Sequence, residues 1–289
     1  MRIRYSEIFH SIQGEGKWVG TPSVFLRTFG CNLTCEGFGQ PRDNHIPEEE
    51  MPHMLMDISN VKSVEDLPVV DIGCDSSASW SAKYKHLSPF ATTAELAYKI
   101  SEFAPWSKDN HLVITGGEPL LGWQKAYIEM FDHPELKDLT HLTFETNGSK
   151  KVINEFTEYL NFLHDDRIMY DKKPMDITWM CSPKLSITGE DQSIAIDADA
   201  LLSMNKVRNS NINLKFVIRD KEDIIEVEQA LAKYADAGVV IEDVYLMPEG
   251  ATLEGQELTE RNVADLCMKH GYKFSPRLHI TLFGNSWGT

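Results

Sequence analysis

Residues 111–148 read HLVITGGEPLLGWQKAYIEMFDHPELKDLTHLTFETNG. The apolar run His111 to Gly117 ends in two glycines. A longer amphipathic segment follows at Trp123 to Phe131. A second apolar and aromatic run, His141 to Gly148, closes on Asn-Gly. Strand, helix and strand in so short a span describe two parallel strands joined by a helical crossover.

The same alternation extends outward in both directions. PSVFLRTF (Pro22 to Phe29) reads as an earlier buried strand, and Asp176 to Pro183, Asn211 to Ile218 and Glu242 to Pro248 as three later ones. Helical segments are predicted at Thr92 to Phe103, where Thr92 and Glu95 form a capping-box pattern, and at Lys151 to Leu163. Two more are predicted at Asp220 to Tyr234 and at Thr259 to His270, the latter ending before Gly271. Six strand–helix units predict an α/β fold, a partial (β/α)6 TIM-like barrel with its chemistry at the C-terminal ends of the strands. A single domain is expected over 1–289. It carries an irregular insertion at about 36–73 and a tail at about 275–289 whose Phe283 and Trp287 call for packing on the barrel.

The 289 residues include 28 basic and 44 acidic side chains, a formal net charge of −16. Such a balance argues against a broad nucleic-acid surface. No apolar stretch reaches the roughly 18–20 residues of a membrane span. The opening MRIRYSEIFHSIQGEG lacks an apolar run of signal-peptide type, so a cytoplasmic protein is expected. Five cysteines, an odd number, suit a reducing compartment better than a disulfide framework. The insertion holds nine acids, two bases and four prolines, and so carries 2 − 9 = −7 of the total charge. A loop of this length is usually functional or disordered.

The predicted strand ends share one feature, a polar or glycine-rich group: Cys31-Asn-Leu-Thr-Cys35, Gly116-Gly117-Glu118-Pro119, Glu145-Thr146-Asn147-Gly148 and Ser182-Pro183-Lys184. Cys31 and Cys35 can converge on one metal centre, and Cys74, beyond the insertion, can supply a third thiolate. Three thiolates on a four-iron cluster leave one iron open; on zinc they need a fourth ligand, which His45 or His53 could provide. Cys181 and Cys267 lie inside a strand and a helix and read as core. Arg27, within an apolar strand, calls for a carboxylate or phosphate partner.

FHSIQGEGKWVGTPSVFLRTFGCNLTC, CDSSASW, TGGEPLL, FETNGS, CSPKLS and SPRLHITLFGNSWG occur in that order between residues 9 and 288. Together they resemble the radical S-adenosylmethionine (SAM) enzymes, specifically the 7-carboxy-7-deazaguanine synthase family. The departure is the cluster motif, usually C-x3-C-x2-C and here C-x3-C-x38-C, with Cys74-Asp75-Ser76 in place of Cys-Asp-Thr. The resemblance implies a 4Fe–4S cluster on Cys31, Cys35 and Cys74. It implies SAM bound by Gly116, Gly117, Glu118, Thr146, Asn147, Ser182, Lys184, Met247 and Pro248, and Mg2+ on Ser76. It implies a pterin substrate contacted by Gln13, Glu15, Arg27, Thr115 and His279, with Arg27 a partner for its carboxylate. The implied reaction converts 6-carboxy-5,6,7,8-tetrahydropterin to 7-carboxy-7-deazaguanine with loss of ammonia, as in queuosine-type biosynthesis. A flavodoxin or ferredoxin as electron donor and a homodimer are implied as well. Two alternatives share part of the motif set: another radical SAM enzyme, such as a glycyl-radical activase, and a zinc-stabilised binding module.

Overall fold

The computed structural model describes residues 1–103 and 111–289. Nine strands form one sheet: β1 (Arg2–Ile12), β2 (Pro22–Thr28), β3 (Phe90–Thr92), β4 (His111–Gly116), β5 (His141–Thr146), β6 (Asp176–Cys181), β7 (Ser210–Ile218), β8 (Asp243–Pro248) and β9 (Lys273–Phe274). Their order is β3-β1-β2-β4-β5-β6-β7-β8-β9. From β2 to β9 every neighbouring pair is parallel, and the six expected strands are β2 and β4 to β8. They curve into the partial (β/α)6 barrel.

Local chemistry places the helices. Asp220 caps the helix Lys221–Asp236 in a capping box closed by Asp223, and Thr92 and Glu95 do the same for Thr93–Ser101. Gly271 ends Glu260–His270 in the left-handed region. Strand residues alternate between two faces. Val24, Leu26, Leu112, Ile114, Leu142 and Phe144 face the helices in the main core. Phe9, Phe25 and Val113 form a small separate cluster, in which the Phe9 and Phe25 rings stack with centroids 4.8 Å apart. One step further along β2, β4, β5 and β7, the same parity brings Arg27, Thr115, Glu145 and Lys215 to a common cavity.

The opposite end of the barrel is closed. The Trp18 ring lies 5.1 Å from His111 and 5.0 Å from His141, and its Nε1 donates to Thr178 Oγ1. His111 is 1% exposed, and its two ring nitrogens bond the Ser23 and Thr143 hydroxyls at 2.8 Å each.

Sequence patterning missed β1, β3 and β9. β1 interrupts its apolar residues with Arg4, Glu7 and His10, whose partners are distant in the chain. Arg4 donates to Lys85 O and lies over the Phe90 ring, while Glu7 pairs with Arg27 on antiparallel β2. The insertion is irregular in backbone but packed. Met51 is fully buried, and Val64, Ala78, Tyr84 and Leu87 form a satellite core joined by Met54, Ile58, Val61, Leu67 and the tail residue Trp287. Lys83 Nζ ties it down by donating to the carbonyls of His53, Met54 and Met56.

Candidate active site

A cavity of about 910 Å³ opens at the C-terminal ends of the strands. All the expected site residues line it except Glu118. Cys31, Cys35 and Cys74 are free thiols on this one wall. Burial pushes the Cys31 and Cys35 thiols up, and Cys74 is pushed up to about 12 by burial and by the Asp75 carboxylate. Cys31 and Cys74 also raise Cys35, so the three sulfurs lie within electrostatic reach of one another.

The loop that carries the first two cysteines is held from two sides. At Gly116 (φ +142°) an added Cβ would lie 2.1 Å from Thr28 O; at Gly117 it would lie 2.5 Å from Gly30 O and 2.7 Å from Cys31 Cβ. Gly116 thus admits the end of β2, and Gly117 the cysteine loop itself, at close range, which the expectation of a ligand's approach did not anticipate. Glu118 N seals the contact by donating to Gly30 O at 2.7 Å. On the other side, Glu190 Oε1 accepts from the backbone N–H groups of Thr34 and Cys35 at 2.6 Å each. Cys35 is a non-glycine residue at φ 51°, a left-handed conformation that these contacts sustain.

Glu118 behaves differently from the expectation that it meets a ligand amine. It is fully buried and does not line the cavity. Its carboxylate accepts from Leu120 N, Thr146 Oγ1 and Asn147 N, and so joins the ends of β4 and β5. Asn147 in turn donates to Asn32 Oδ1 at 3.2 Å, which ties β5 to the cysteine loop.

A buried ionic network forms the other wall. Lys215, 4% exposed at its side chain, pairs with both Glu15 and Glu145. Glu15 also accepts from Arg277 Nε at 3.0 Å, with His279 Nε2 at 3.8 Å. Burial alone would raise the Glu15 carboxyl, but two cations face it, and Lys215 and Arg277 hold it well below the usual range. Glu145 has Lys215 and Gln13 Nε2 for partners, so burial wins and its carboxyl is raised. His279 is pushed down to about 4, chiefly by burial, and is neutral at pH 7. Gly14, where a Cβ would lie 2.1 Å from His279 Nδ1, is what lets that ring in.

Arg27 has the carboxylate partner its setting demands, but it is internal: Nε donates to Glu7 Oε1 at 2.7 Å. Its guanidinium lies 5.3 Å from the Trp287 ring and 3.4 Å from Ser76 Oγ. Ser76 donates to Asp75 Oδ1 at 3.2 Å. Lys184 Nζ reaches Ser182 Oγ at 3.2 Å and lies over the insertion's Phe38.

Sequence reasoning missed Lys215, Glu145, Asp75 and Arg277. Lys215 carried the signal that singled out Arg27, a cation inside an apolar strand. The other three sit inside motifs the sequence singled out, at a strand end, in the Cys-Asp-Ser triplet and in the C-terminal SPRLH, but nothing local told of their ionic partners.

Among the described residues, no group of three or more His, Cys, Asp or Glu side chains is placed to share one ion. A mononuclear zinc site requires such convergence, whereas a cluster gives each thiolate its own iron. His45 and His53 do not line the cavity; His45 packs against Gly37 and Gly189 instead. Three thiols on one cavity wall suit a 4Fe–4S cluster, which takes one thiolate per iron.

A six-stranded parallel partial barrel with three thiols at its mouth defines an enzyme of the radical SAM type. The chain is similar over 97% of its length to the 7-carboxy-7-deazaguanine synthase of Halobacterium salinarum, at 30% identity and covering 90% of that protein. It is similar over 99% of its length to that of Pyrobaculum aerophilum, at 27% identity and 97% coverage, and over 98% to that of Rhodopirellula baltica, at 26% and 88%. Among solved structures, QueE from Escherichia coli shares the fold, with a TM-score of 0.51 and 18% identity over 95% of this chain and 93% of that one. No family model matches. The chain belongs to the 7-carboxy-7-deazaguanine synthase family.

Proposed function

We propose that this chain converts 6-carboxy-5,6,7,8-tetrahydropterin to 7-carboxy-7-deazaguanine with loss of ammonia, as a radical SAM lyase of queuosine-type biosynthesis. The carrying observation is that Cys31, Cys35 and Cys74 share one cavity with the Glu15–Lys215–Arg277 network. Bound cluster and SAM supply one-electron cleavage of SAM, the source of a hydrogen-abstracting carbon radical.

The chain's own residues do the placing. Cys31, Cys35 and Cys74 would hold the cluster. Ser182, Lys184, Thr146, Asn147 and the Gly116-Gly117 backbone would orient SAM, with Met247 and Pro248 beside its base. Glu118 supports this wall from behind through Thr146 and Asn147. Ionised Glu15 and Gln13 would receive the pterin's N–H groups, and Thr115 would sit beside them. Arg27 would turn toward the substrate carboxylate, and neutral His279 would stand beside Glu15 against the substrate. Phe38 and Trp287 line the cavity, and their apolar rings would help keep water from a radical intermediate.

Ser76 and Asp75 offer adjacent oxygens for Mg2+, a hard cation that prefers such donors. A one-electron carrier such as flavodoxin or ferredoxin would deliver the electron to a cytoplasmic homodimer. The five free cysteines suit that reducing compartment. Among the described residues, no helix is long and apolar enough to cross a membrane.

The test is anaerobic reconstitution with iron and sulfide, then incubation with reductant, SAM and the carboxypterin, with and without magnesium. Formation of 7-carboxy-7-deazaguanine is expected, faster with magnesium. SAM cleavage on an intact cluster without that product would overturn the reading in favour of another radical SAM enzyme. Equal rates without magnesium would remove the Ser76 assignment alone.

A further inference from the structure

We propose that Arg277 is a positioning residue for the third cluster thiolate, acting through Asp75. The inference rests on the functional reading above.

Cys31 and Cys35 share one short loop, but 38 residues separate Cys35 from Cys74. A connection of that length fixes almost nothing about where its ends lie relative to each other. Tertiary contacts must therefore place Cys74. Gly73 N donates to Phe38 O at 2.8 Å, and Trp80 Nε1 reaches Cys74 Sγ at 3.4 Å, yet Phe38 belongs to the insertion and Trp80 to the same turn. Ser79 O accepts from Gly30 N, five residues beyond the cysteine. Next to Cys74 itself the anchor is Asp75, whose Oδ2 accepts from Arg277 Nη2 at 2.6 Å.

Arg277 is suited to the task because its other donors are committed. Nε donates to Glu15 Oε1 at 3.0 Å and Nη1 to Gly250 O at 2.9 Å, with the side chain 11% exposed. A planar guanidinium fixed on two points presents its third donor in a set direction, which a lysine ammonium would not. One buried side chain thus links the pterin-facing Glu15 to the residue beside a cluster ligand.

The experiment is anaerobic reconstitution of the full chain as wild type, Arg277→Met, Arg277→Lys, Asp75→Asn and, as the cluster-free reference, Cys74→Ala. Iron and sulfide per chain, visible absorption and the rate of bleaching by an iron chelator are read, with circular dichroism to follow the fold. Arg277→Met is expected to bleach about 10–100-fold faster than wild type, the usual scale for losing an outer-sphere support of a metal ligand. Arg277→Lys, which retains a donor for Asp75, should recover part of that loss. Wild-type bleaching in Arg277→Met would overturn the inference. Where Arg277→Met fails to fold, Asp75→Asn decides: faster bleaching supports the proposal and unchanged bleaching ends it. A wild-type chain that takes up no cluster sinks the functional reading and this inference together, whereas a loaded wild type with an indifferent Arg277→Met sinks the inference alone.

Discussion

Lys215 on β7 donates to Glu145 on β5 at 2.9 Å, reaching past β6 within the barrel. Glu15 shares the same ammonium but has Arg277 as a second cation, so Glu145 depends on Lys215 alone. Lys215→Met leaves Glu145 buried with no cation, while Glu15 keeps Arg277. The variant should lose about 3–5 kcal/mol at pH 8, the scale for an uncompensated buried charge. Burial already holds the Glu145 carboxyl above its ordinary value, and losing Lys215 raises it further, so the penalty belongs to its ionised form and eases as pH falls. Denaturant unfolding of the cluster-free protein at pH 8 and pH 5.5 should therefore show a smaller deficit at the lower pH. Equal deficits would contradict this account.

His111 provides a pH test at the closed end of the barrel. Burial, reinforced by His141, pushes it down to about 3 from the ordinary 6.5. Below pH 6.5 the unfolded chain takes up a proton that folded His111 refuses, so its contribution is full above 6.5 and fades as pH falls toward 3. His111→Gln removes that dependence. Between pH 7 and 4 the wild type should lose about 3 kcal/mol more than the variant, at ~1.4 kcal/mol per unit. Parallel pH profiles would exclude His111 as the source.

The cysteines divide into two groups. Cys74→Ala should lose the cluster while circular dichroism shows a folded chain. Cys181 is fully buried beside Met204 and does not line the cavity. Cys181→Ala should keep its full iron and sulfide content and lose about 1 kcal/mol of stability. A loaded, SAM-cleaving Cys74→Ala chain would refute the ligand assignment.

The insertion is clasped to the barrel by Arg42, which pairs with Asp223 at 2.8 Å and Asp220 at 3.1 Å. Arg219 adds a second tie to Gln40 O at 3.1 Å. Arg42→Ala should loosen this cover at a cost of about 1 kcal/mol, since Arg42 is itself partly exposed and buried Asp223 keeps the backbone N–H groups of Arg219 and Asp220. The informative readout is coupling: SAM should be cleaved with less product per cleavage as water reaches the site. An unchanged ratio would relieve the insertion of any covering role.

The sequence by itself determined the six parallel strands, the capped helices between them, and the residue types gathered at the strand ends. These rest on short-range physics: side-chain period, glycine and proline punctuation, and caps closed within four residues. Even Cys74, displaced by the insertion, remained legible beside Asp75 and Ser76. The tertiary structure alone decided how the polar groups share one another. Glu118 turned inward to tie two strand ends, Gly117 made room for the cysteine loop, and Arg27 found Glu7 on an unpredicted antiparallel strand. Arg277 met Asp75 across 202 residues of chain. Such pairings are set by where the barrel brings charges together and by the cost of leaving any of them buried alone, and neither is written in the local pattern.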